Sequence, residues 1–176
     1  MSLNLELKAS IDSVDIARRI ALEAGAEPGG ILMQVDTYFS VPHGRLKLRV
    51  INGTSAELIG YDRKEQEEER WSTYEKTPVP QPDVLEAILG ATLGTLVVVR
   101  KRRELFWYEG SRIHIDLVEG LGAFLEFEVP TRDKSRAAES MRKLRDLFKI
   151  PQEEIFRESY SDLLIEQMKR RKETNT

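Results

Sequence analysis

Polar and charged side chains recur at every second residue in several segments of this chain, and apolar side chains occupy most positions between them. These alternating residues are Asn4, Glu6 and Lys8; Arg45, Lys47 and Arg49; Lys101 and Arg103; Arg112, His114 and Asp116; and Glu126 and Glu128. Successive side chains of a β-strand point to opposite faces, so each segment predicts one apolar and one charged face. If the strands share a sheet that curls on itself, the charged faces converge on a cavity suited to a polyanion with a divalent metal.

The composition limits which chemistry such a cavity can perform. The 176 residues fit one domain, and a net charge of −3 does not favour binding of a nucleic acid polymer. The absence of cysteine and the presence of only two histidines exclude thiolate and multi-histidine zinc sites. A metal would therefore be a hard, oxygen-bound cation such as Mg²⁺ or Mn²⁺. No segment has the pattern of a membrane span or a signal peptide, which predicts a cytoplasmic protein without a membrane partner.

The elements that must position these residues follow from periodicity and turn signals. Hairpin signals such as Asn52-Gly53 favour antiparallel pairing, and closure would remove exposed sheet edges. The sequence therefore predicts an α+β fold, a closed eight-stranded antiparallel β-barrel with flanking helices. Predicted strands cover 3–10, 31–41, 45–51, 56–63, 71–77, 95–108, 112–118 and 123–130, and predicted helices cover 12–24, 83–93, 134–149 and 159–169.

Two polar segments and one helix face complete this prediction. Residues 64–70 are too polar to pack and are predicted to form an exposed loop, and residues 169–176 form a frayed polar tail. The helix at 83–93 is predicted to bury Val84, Leu85, Ile88 and Leu89.

Five segments, in this order, resemble the CYTH family, the triphosphate tunnel metalloenzymes that include class IV adenylyl cyclases and thiamine triphosphatases. The segments are 4–8 (similar to the signature Glu-x-Glu-x-Lys), 44–49, 99–105, 115–128 and 157–164. The resemblance implies a single domain over 1–168, whose barrel lumen binds triphosphate and metal, and a barrel side that can support a homodimer. Asn4 stands where the signature has glutamate, so it offers a metal a carbonyl oxygen without negative charge.

The charged residues divide into three sets by chemistry. Arginine grips two phosphate oxygens and lysine supplies a point charge, so the basic residues are candidate triphosphate ligands. These are Arg45, Lys47, Arg49, Lys101 and Arg103, with Arg63, Lys76 and Arg112 as a second tier. The candidate metal ligands are Asn4, Glu6, Glu126 and Glu128. Lys8 and Asp116 are the candidate catalytic residues, Lys8 on the phosphate chain and Asp116 as a further ligand or a base that positions water.

Three functions remain open for such a site. The first is a metal-dependent phosphohydrolase of inorganic triphosphate or of a small organic triphosphate such as thiamine triphosphate. The second is a class IV adenylyl cyclase that converts ATP to cyclic AMP and pyrophosphate, since the two reactions share a phosphate grip and differ in the nucleophile that is positioned. The third is a module that binds polyphosphate or nucleotides without turnover.

Several of these residues also have ordinary structural explanations. A single charged strand face is most simply the solvated side of a half-buried sheet. Faces of one sign, such as Arg45-Lys47-Arg49, repel unless something binds there, which favours a ligand. His114 is interpreted as a structural histidine and Trp107 as a packing residue.

Overall fold

The computed structural model describes residues 2–63, 70–131, 133–156 and 158–174, which form nine strands and four α-helices. The strands are β1 (Ser2–Ser10), β2 (Glu27–Phe39), β3 (Arg45–Ile51), β4 (Ser55–Arg63), β5 (Arg70–Pro78), β6 (Thr95–Tyr108), β7 (Ser111–Val118), β8 (Gly122–Pro130) and β9 (Ile155–Phe156). The helices are α1 (Val14–Glu23), α2 (Pro82–Leu93), α3 (Lys134–Phe148) and α4 (Tyr160–Thr174). The predicted α+β class is confirmed.

The strands form one antiparallel sheet in the order β5-β4-β3-β2-β6-β7-β8-β1-β9. β1 pairs with β8 along one side and also pairs with β5, from Ser2 opposite Tyr74 to Glu6 opposite Arg70. This pairing brings the first and the eighth strand of the order together. The ninth strand was not predicted: β9 contributes two residues that pair with Lys8 and Ala9 of β1.

The hairpin turns have the backbone conformation that their sequences predict. Asn52 and Gly53 have φ angles of 53° and 66°, and Glu109 and Gly110 have φ angles of 46° and 77°. Two consecutive positive φ angles define the type I′ turn, whose twist matches that of the flanking strands. These turns fix the registers β3–β4 and β6–β7, and thereby decide which side chains share a face.

Most apolar strand residues point outward and are covered by helices. α1 and α3 cover a cluster that includes Leu5, Leu7 and Phe127, all nearly inaccessible to solvent. α2 covers a second outer cluster around Leu48. A third cluster, around Val99, includes Tyr160 of α4 and lies on the same face of β6 as Lys101 and Arg103. Because the outer face is apolar and helix-covered, the alternation of each strand directs its polar residues to the opposite, inner face.

The structure corrects the predicted buried face of α2. Val84 and Ile88 are 54% and 53% exposed, whereas Leu85 and Leu89 pack against the cluster around Leu48. α2 carries apolar residues around most of its circumference, so its periodicity could not select the buried stripe.

The predicted ends of the elements agree more closely with the structure. α4 continues to Thr174, so residues 169–174 are helical rather than a frayed tail. Of the predicted loop 64–70, residue 70 begins β5 and the others lie outside the described residues. No helix in the described part of the chain combines the length and the apolarity that a membrane span requires.

Candidate active site

The inner faces of strands β1 to β8 surround a cavity of about 340 Å³. Most of the predicted site residues line it. They are Asn4, Glu6, Lys8, Lys47, Arg49, Lys76, Lys101, Arg103, Arg112, Glu126 and Glu128. The alternation in the sequence therefore places these side chains in one space, although they come from six separate strands.

Three predicted residues lie elsewhere or are not described. Arg45 pairs with Asp162 of α4, with 2.7 Å between Nη1 and Oδ1, and is not among the lining residues. Asp116 is fully buried behind the cavity wall. The backbone of Arg63 ends β4, but its side chain lies outside the described part of the chain.

A buried carboxylate that sequence reasoning missed, Asp36 of β2, organises the basic side of the cavity. Arg49 donates from Nε and Nη2 to the two carboxylate oxygens at 2.6 Å each. Lys47 and Lys101 place their Nζ atoms 3.1 Å and 3.3 Å from Oδ2. Burial alone would raise the pKa of Asp36, but the charges of Arg49, Lys101 and Lys47 hold it well below its usual range. Asp36 is therefore ionised and gathers three cations.

The strand registers explain this arrangement. Asp36 lies directly opposite Arg49 in the β2–β3 pair, and Lys101 lies opposite Gln34 in the β2–β6 pair. Directly opposite residues have adjacent Cβ atoms, so the three strands bring their side chains to one point. The signal in the sequence was the alternation of Gln34, Asp36 and Tyr38 along β2, which carries only one charge.

Lys101 is the most perturbed lysine among the described residues. Burial lowers its pKa, the charges of Arg49 and Arg103 lower it further, and Asp36 compensates only in part, which leaves the value at about 7. A lysine in this state gains its proton when a further anion enters the cavity. The site is therefore prepared for negative charge beyond that of Asp36.

A second buried carboxylate orients Arg103. Arg103 of β6 lies opposite Asp116 of β7 and donates to its oxygens from Nε at 2.7 Å and from Nη2 at 2.6 Å. Tyr160, at the start of α4, donates its hydroxyl to Oδ2 of Asp116 at 2.8 Å. Burial would raise the pKa of Asp116, but Arg103 keeps it below the usual value. The aromatic ring of Tyr160 lies 4.0 Å from Nζ of Lys8, which adds a cation–π contact.

Carboxylates gather on the opposite side of the cavity. Potential ligand atoms of His114, Glu126 and Glu128 all lie within 4.8 Å of one another. Lys8 and Arg103 approach Oε2 of Glu126 at 3.4 Å and 3.5 Å. Burial would raise the pKa of Glu126, but Lys8, Arg103 and His114 hold it well below its usual range. Glu126 is therefore ionised and faces the cavity.

The chemistry of this cluster fits a divalent metal. Nδ1 of His114 is buried and has no hydrogen-bond partner among the described residues. It lies 3.6 Å from an oxygen of Glu126 and 3.8 Å from an oxygen of Glu128. Glu6 and Asn4 line the same cavity, and Glu6 lies opposite Glu128. Carboxylate and amide oxygens suit Mg²⁺ and Mn²⁺, and an imidazole nitrogen is compatible with Mn²⁺. Histidine 114, interpreted from sequence as structural, belongs to this cluster.

The family model for the CYTH domain matches residues 2–160 of this chain. The protein therefore belongs to the CYTH domain family, as the ordered segments predicted.

Individual relatives agree with this assignment. A 68-residue segment is 38% identical to "Putative adenylate cyclase MJ0240" of Methanocaldococcus jannaschii, and the match covers 37% of this chain and 39% of that relative's length. The PH1012 protein of Pyrococcus horikoshii OT3 superposes with a TM-score of 0.83 at 22% identity, over 93% of this chain and 99% of that one. HpAC1 of Hippeastrum, which has a dominant triphosphatase activity, superposes with a TM-score of 0.68 at 14% identity, over 95% and 96% of the two chains. The two superpositions establish a common fold.

Proposed function

We propose that this protein is a metal-dependent phosphohydrolase that acts on a triphosphate in the cavity that strands β1 to β8 surround. The observation that carries the proposal is the convergence of seven basic and four acidic side chains from seven of the eight strands on that cavity. A triphosphate near neutral pH carries several negative charges, and it can leave water only where fixed cations replace its hydration. The pairing of β1 with β5 supports a closed tunnel around such a ligand.

The basic residues would bind the phosphate chain. Lys47, Arg49 and Lys101 are held together by Asp36, and Arg103 is held by Asp116. Because these cations are fixed before the ligand arrives, little reorganisation accompanies binding. Lys8 would act between Glu126 and the phosphates, and Lys76 and Arg112 lie on the cavity wall for outer contacts.

Two residues predicted to act on the substrate have positions that favour other roles. Asp116 already accepts hydrogen bonds from Arg103 and Tyr160 on a fully buried carboxylate, so we assign it to orienting Arg103 rather than to water activation. Arg45 pairs with Asp162, so we assign it to fixing the start of α4 at the cavity.

The metal would be held by Glu126 and Glu128, with His114, Glu6 and Asn4 as the further donors in reach of the same space. A bound Mg²⁺ or Mn²⁺ would supply Lewis-acid polarisation of a phosphoryl oxygen and offset charge on the phosphate chain. The side chains of the protein would hold the phosphate chain and exclude water around it, and Lys8 and Arg103 keep Glu126 ionised.

Adenylyl cyclase activity is the second candidate. It is favoured by the 38% identity to the Methanocaldococcus jannaschii protein, whose name assigns it that activity. The same phosphate grip would serve both reactions, and the outcome depends on whether water or the ribose 3′-hydroxyl is positioned. Binding without turnover is the third candidate, and the neutral Asn4 in the metal-binding segment favours it.

One incubation series distinguishes the three candidates. Purified protein with Mg²⁺ or Mn²⁺ is given inorganic triphosphate, thiamine triphosphate or ATP, and orthophosphate, pyrophosphate and cyclic AMP are resolved. We expect orthophosphate release, which the variants Arg103→Ala and Lys101→Ala abolish or reduce through a much higher KM. Cyclic AMP with stoichiometric pyrophosphate would establish the cyclase instead. Tight triphosphate binding without product would establish the binding module.

A further inference from the structure

The inner face of β6 changes in character along its length. Lys101 and Arg103 line the cavity, and the next two inward residues, Leu105 and Trp107, line it as well. At about 3.3 Å per residue, the four steps from Arg103 to Trp107 span roughly 13 Å along the strand. The apolar residues therefore lie on the cavity wall directly beyond the two cations that would hold a triphosphate.

Two neighbouring strands extend this apolar section. Leu32 of β2 and Ile51 of β3 also line the cavity, and Leu32 lies opposite Arg103 in the β2–β6 pair. In the described parts of the chain, Leu32, Ile51, Leu105 and Trp107 belong to none of the three helix-covered clusters. Trp107 is 44% exposed, although it is one of only two tryptophans. This surface lies outside the buried clusters and lines the same cavity as the charged residues.

A glycine holds Leu105 and Trp107 in place. β2 contains a bulge between Pro28 and Gly30, and a Cβ on Gly29 would lie 2.7 Å from Cγ of Leu105 and 3.0 Å from Nε1 of Trp107. Only glycine permits this approach of the backbone to both side chains. The strand therefore forms a wall against the apolar pair and limits the positions that the indole can adopt.

We propose that Leu32, Ile51, Leu105 and Trp107 form a subsite for a planar aromatic group attached to the triphosphate, with the indole of Trp107 as the stacking surface. This proposal rests on the proposed function and specifies its substrate class as an organic rather than an inorganic triphosphate. Aromatic stacking accepts any flat heterocycle, so a nucleobase and the rings of thiamine share the required chemistry. Arg112, opposite Trp107 and paired with Glu128 at 2.6 Å, lies at the polar edge of the subsite.

The first test is a comparison of kcat/KM for inorganic triphosphate, ATP and thiamine triphosphate. We expect Trp107→Ala to lower kcat/KM for the preferred organic substrate by roughly 10- to 100-fold, the range measured for loss of base stacking. Inorganic triphosphate should be unaffected, and Trp107→Phe should retain most of the activity on the organic substrate. Leu117→Ala, an exposed leucine of β7 that does not line the cavity, is the matched control.

The second test measures binding independently of turnover. In a Trp71→Phe background, Trp107 is the only tryptophan, and its fluorescence should be quenched by a β,γ-methylene analogue of ATP or by thiamine triphosphate, but not by inorganic triphosphate. The better quencher identifies the ring. If inorganic triphosphate is hydrolysed and Trp107→Ala affects all substrates equally or none, the subsite is refuted while the proposed function stands. If no triphosphate is bound or turned over by the wild-type protein, both proposals are refuted.

Discussion

The two sides of the cavity hold their carboxylates in different ways. On the basic side, Asp36 is 1% exposed and accepts the fork of Arg49 at 2.6 Å on both oxygens. On the acidic side, the Glu126 side chain is 12% exposed, and Lys8, Arg103 and His114 lie 3.4 Å, 3.5 Å and 3.6 Å from its oxygens. A carboxylate with short, bidentate contacts fixes the position of its partners. One with longer contacts retains oxygens that a ligand can use.

This difference assigns separate tasks to similar residues. Asp36 and Asp116 each hold an arginine by two short hydrogen bonds and are not cavity-lining residues. Glu126 and Glu128 line the cavity beside His114, and although Oε2 of Glu128 lies 2.6 Å from Arg112, its Oε1 lies 3.8 Å from His114. We infer that the aspartates position phosphate-binding cations and that the glutamates are available to a metal. The following predictions test this division.

The largest expected effect is on stability. Asp36→Asn leaves the charges of Lys47, Arg49 and Lys101 without their shared counterion, and removal of one partner from a buried ion pair costs about 3–5 kcal/mol. We expect the free energy of unfolding, measured by urea denaturation, to fall by that amount. Inorganic triphosphate should restore part of the loss, because it supplies negative charge to the same cations.

An exposed pair provides the control for this measurement. Glu109 and Lys143 approach at 3.5 Å with both side chains more than half exposed, so Glu109→Gln should change the free energy of unfolding by less than about 1 kcal/mol. Equal stabilities for Asp36→Asn and Glu109→Gln would show that Asp36 does not anchor the basic side.

Asp36 also shows what the sequence could not provide. The alternation at Arg45-Lys47-Arg49 and Glu126-Glu128 predicted strands and inward faces correctly, because period 2 is a local property. The pairing of Asp36 with Arg49 depends on the register between two strands, which no local pattern contains. The same limit applies to Arg45: its alternation with Lys47 predicted a cavity position, but its partner Asp162 comes from a helix over a hundred residues later. The prediction that Val84 and Ile88 are buried was wrong for a different reason. α2 has two apolar stripes, and only the packing of the helix on the sheet decides which one is buried.

The second prediction separates the glutamates from the aspartates by their metal dependence. Glu126→Gln removes a charged donor from the acidic cluster, so the Mg²⁺ or Mn²⁺ concentration for half-maximal activity should rise roughly 10-fold or more. Asp116→Asn should instead raise KM for the triphosphate, because Arg103 loses its orienting partner. Metal titrations and substrate titrations on both variants provide the comparison. An unchanged metal requirement in Glu126→Gln would remove it from the metal site.

The smallest effect concerns the proton on Lys101. Burial lowers the pKa of Lys101 from 10.5 to about 7, so the folded protein releases this proton before the unfolded chain does. Between about pH 7 and pH 10 the unfolded state binds more protons, and the contribution of this group to stability rises with pH. Triphosphate binding has the opposite dependence, because only protonated Lys101 attracts the ligand. Its affinity should therefore fall above pH 7, by at most about 10-fold per pH unit for one proton.

Lys101→Arg isolates this proton from the titration of the ligand itself. Arginine keeps its charge throughout the range, so a variant that retains the Asp36 contact should show a flatter pH profile than the wild-type protein in the same buffers. Calorimetry of inorganic triphosphate binding between pH 6.5 and pH 9 measures both profiles, and the wild-type protein should take up a proton on binding at pH 8. Nζ of Lys101 lies 3.3 Å from the carboxylate of Asp36, which two other cations also contact. We therefore assign the proton that the basic side of the cavity releases to Lys101. Identical profiles for the two proteins would mean that Asp36 keeps Lys101 charged throughout, and the basic side would then be as fixed in charge as it is in position.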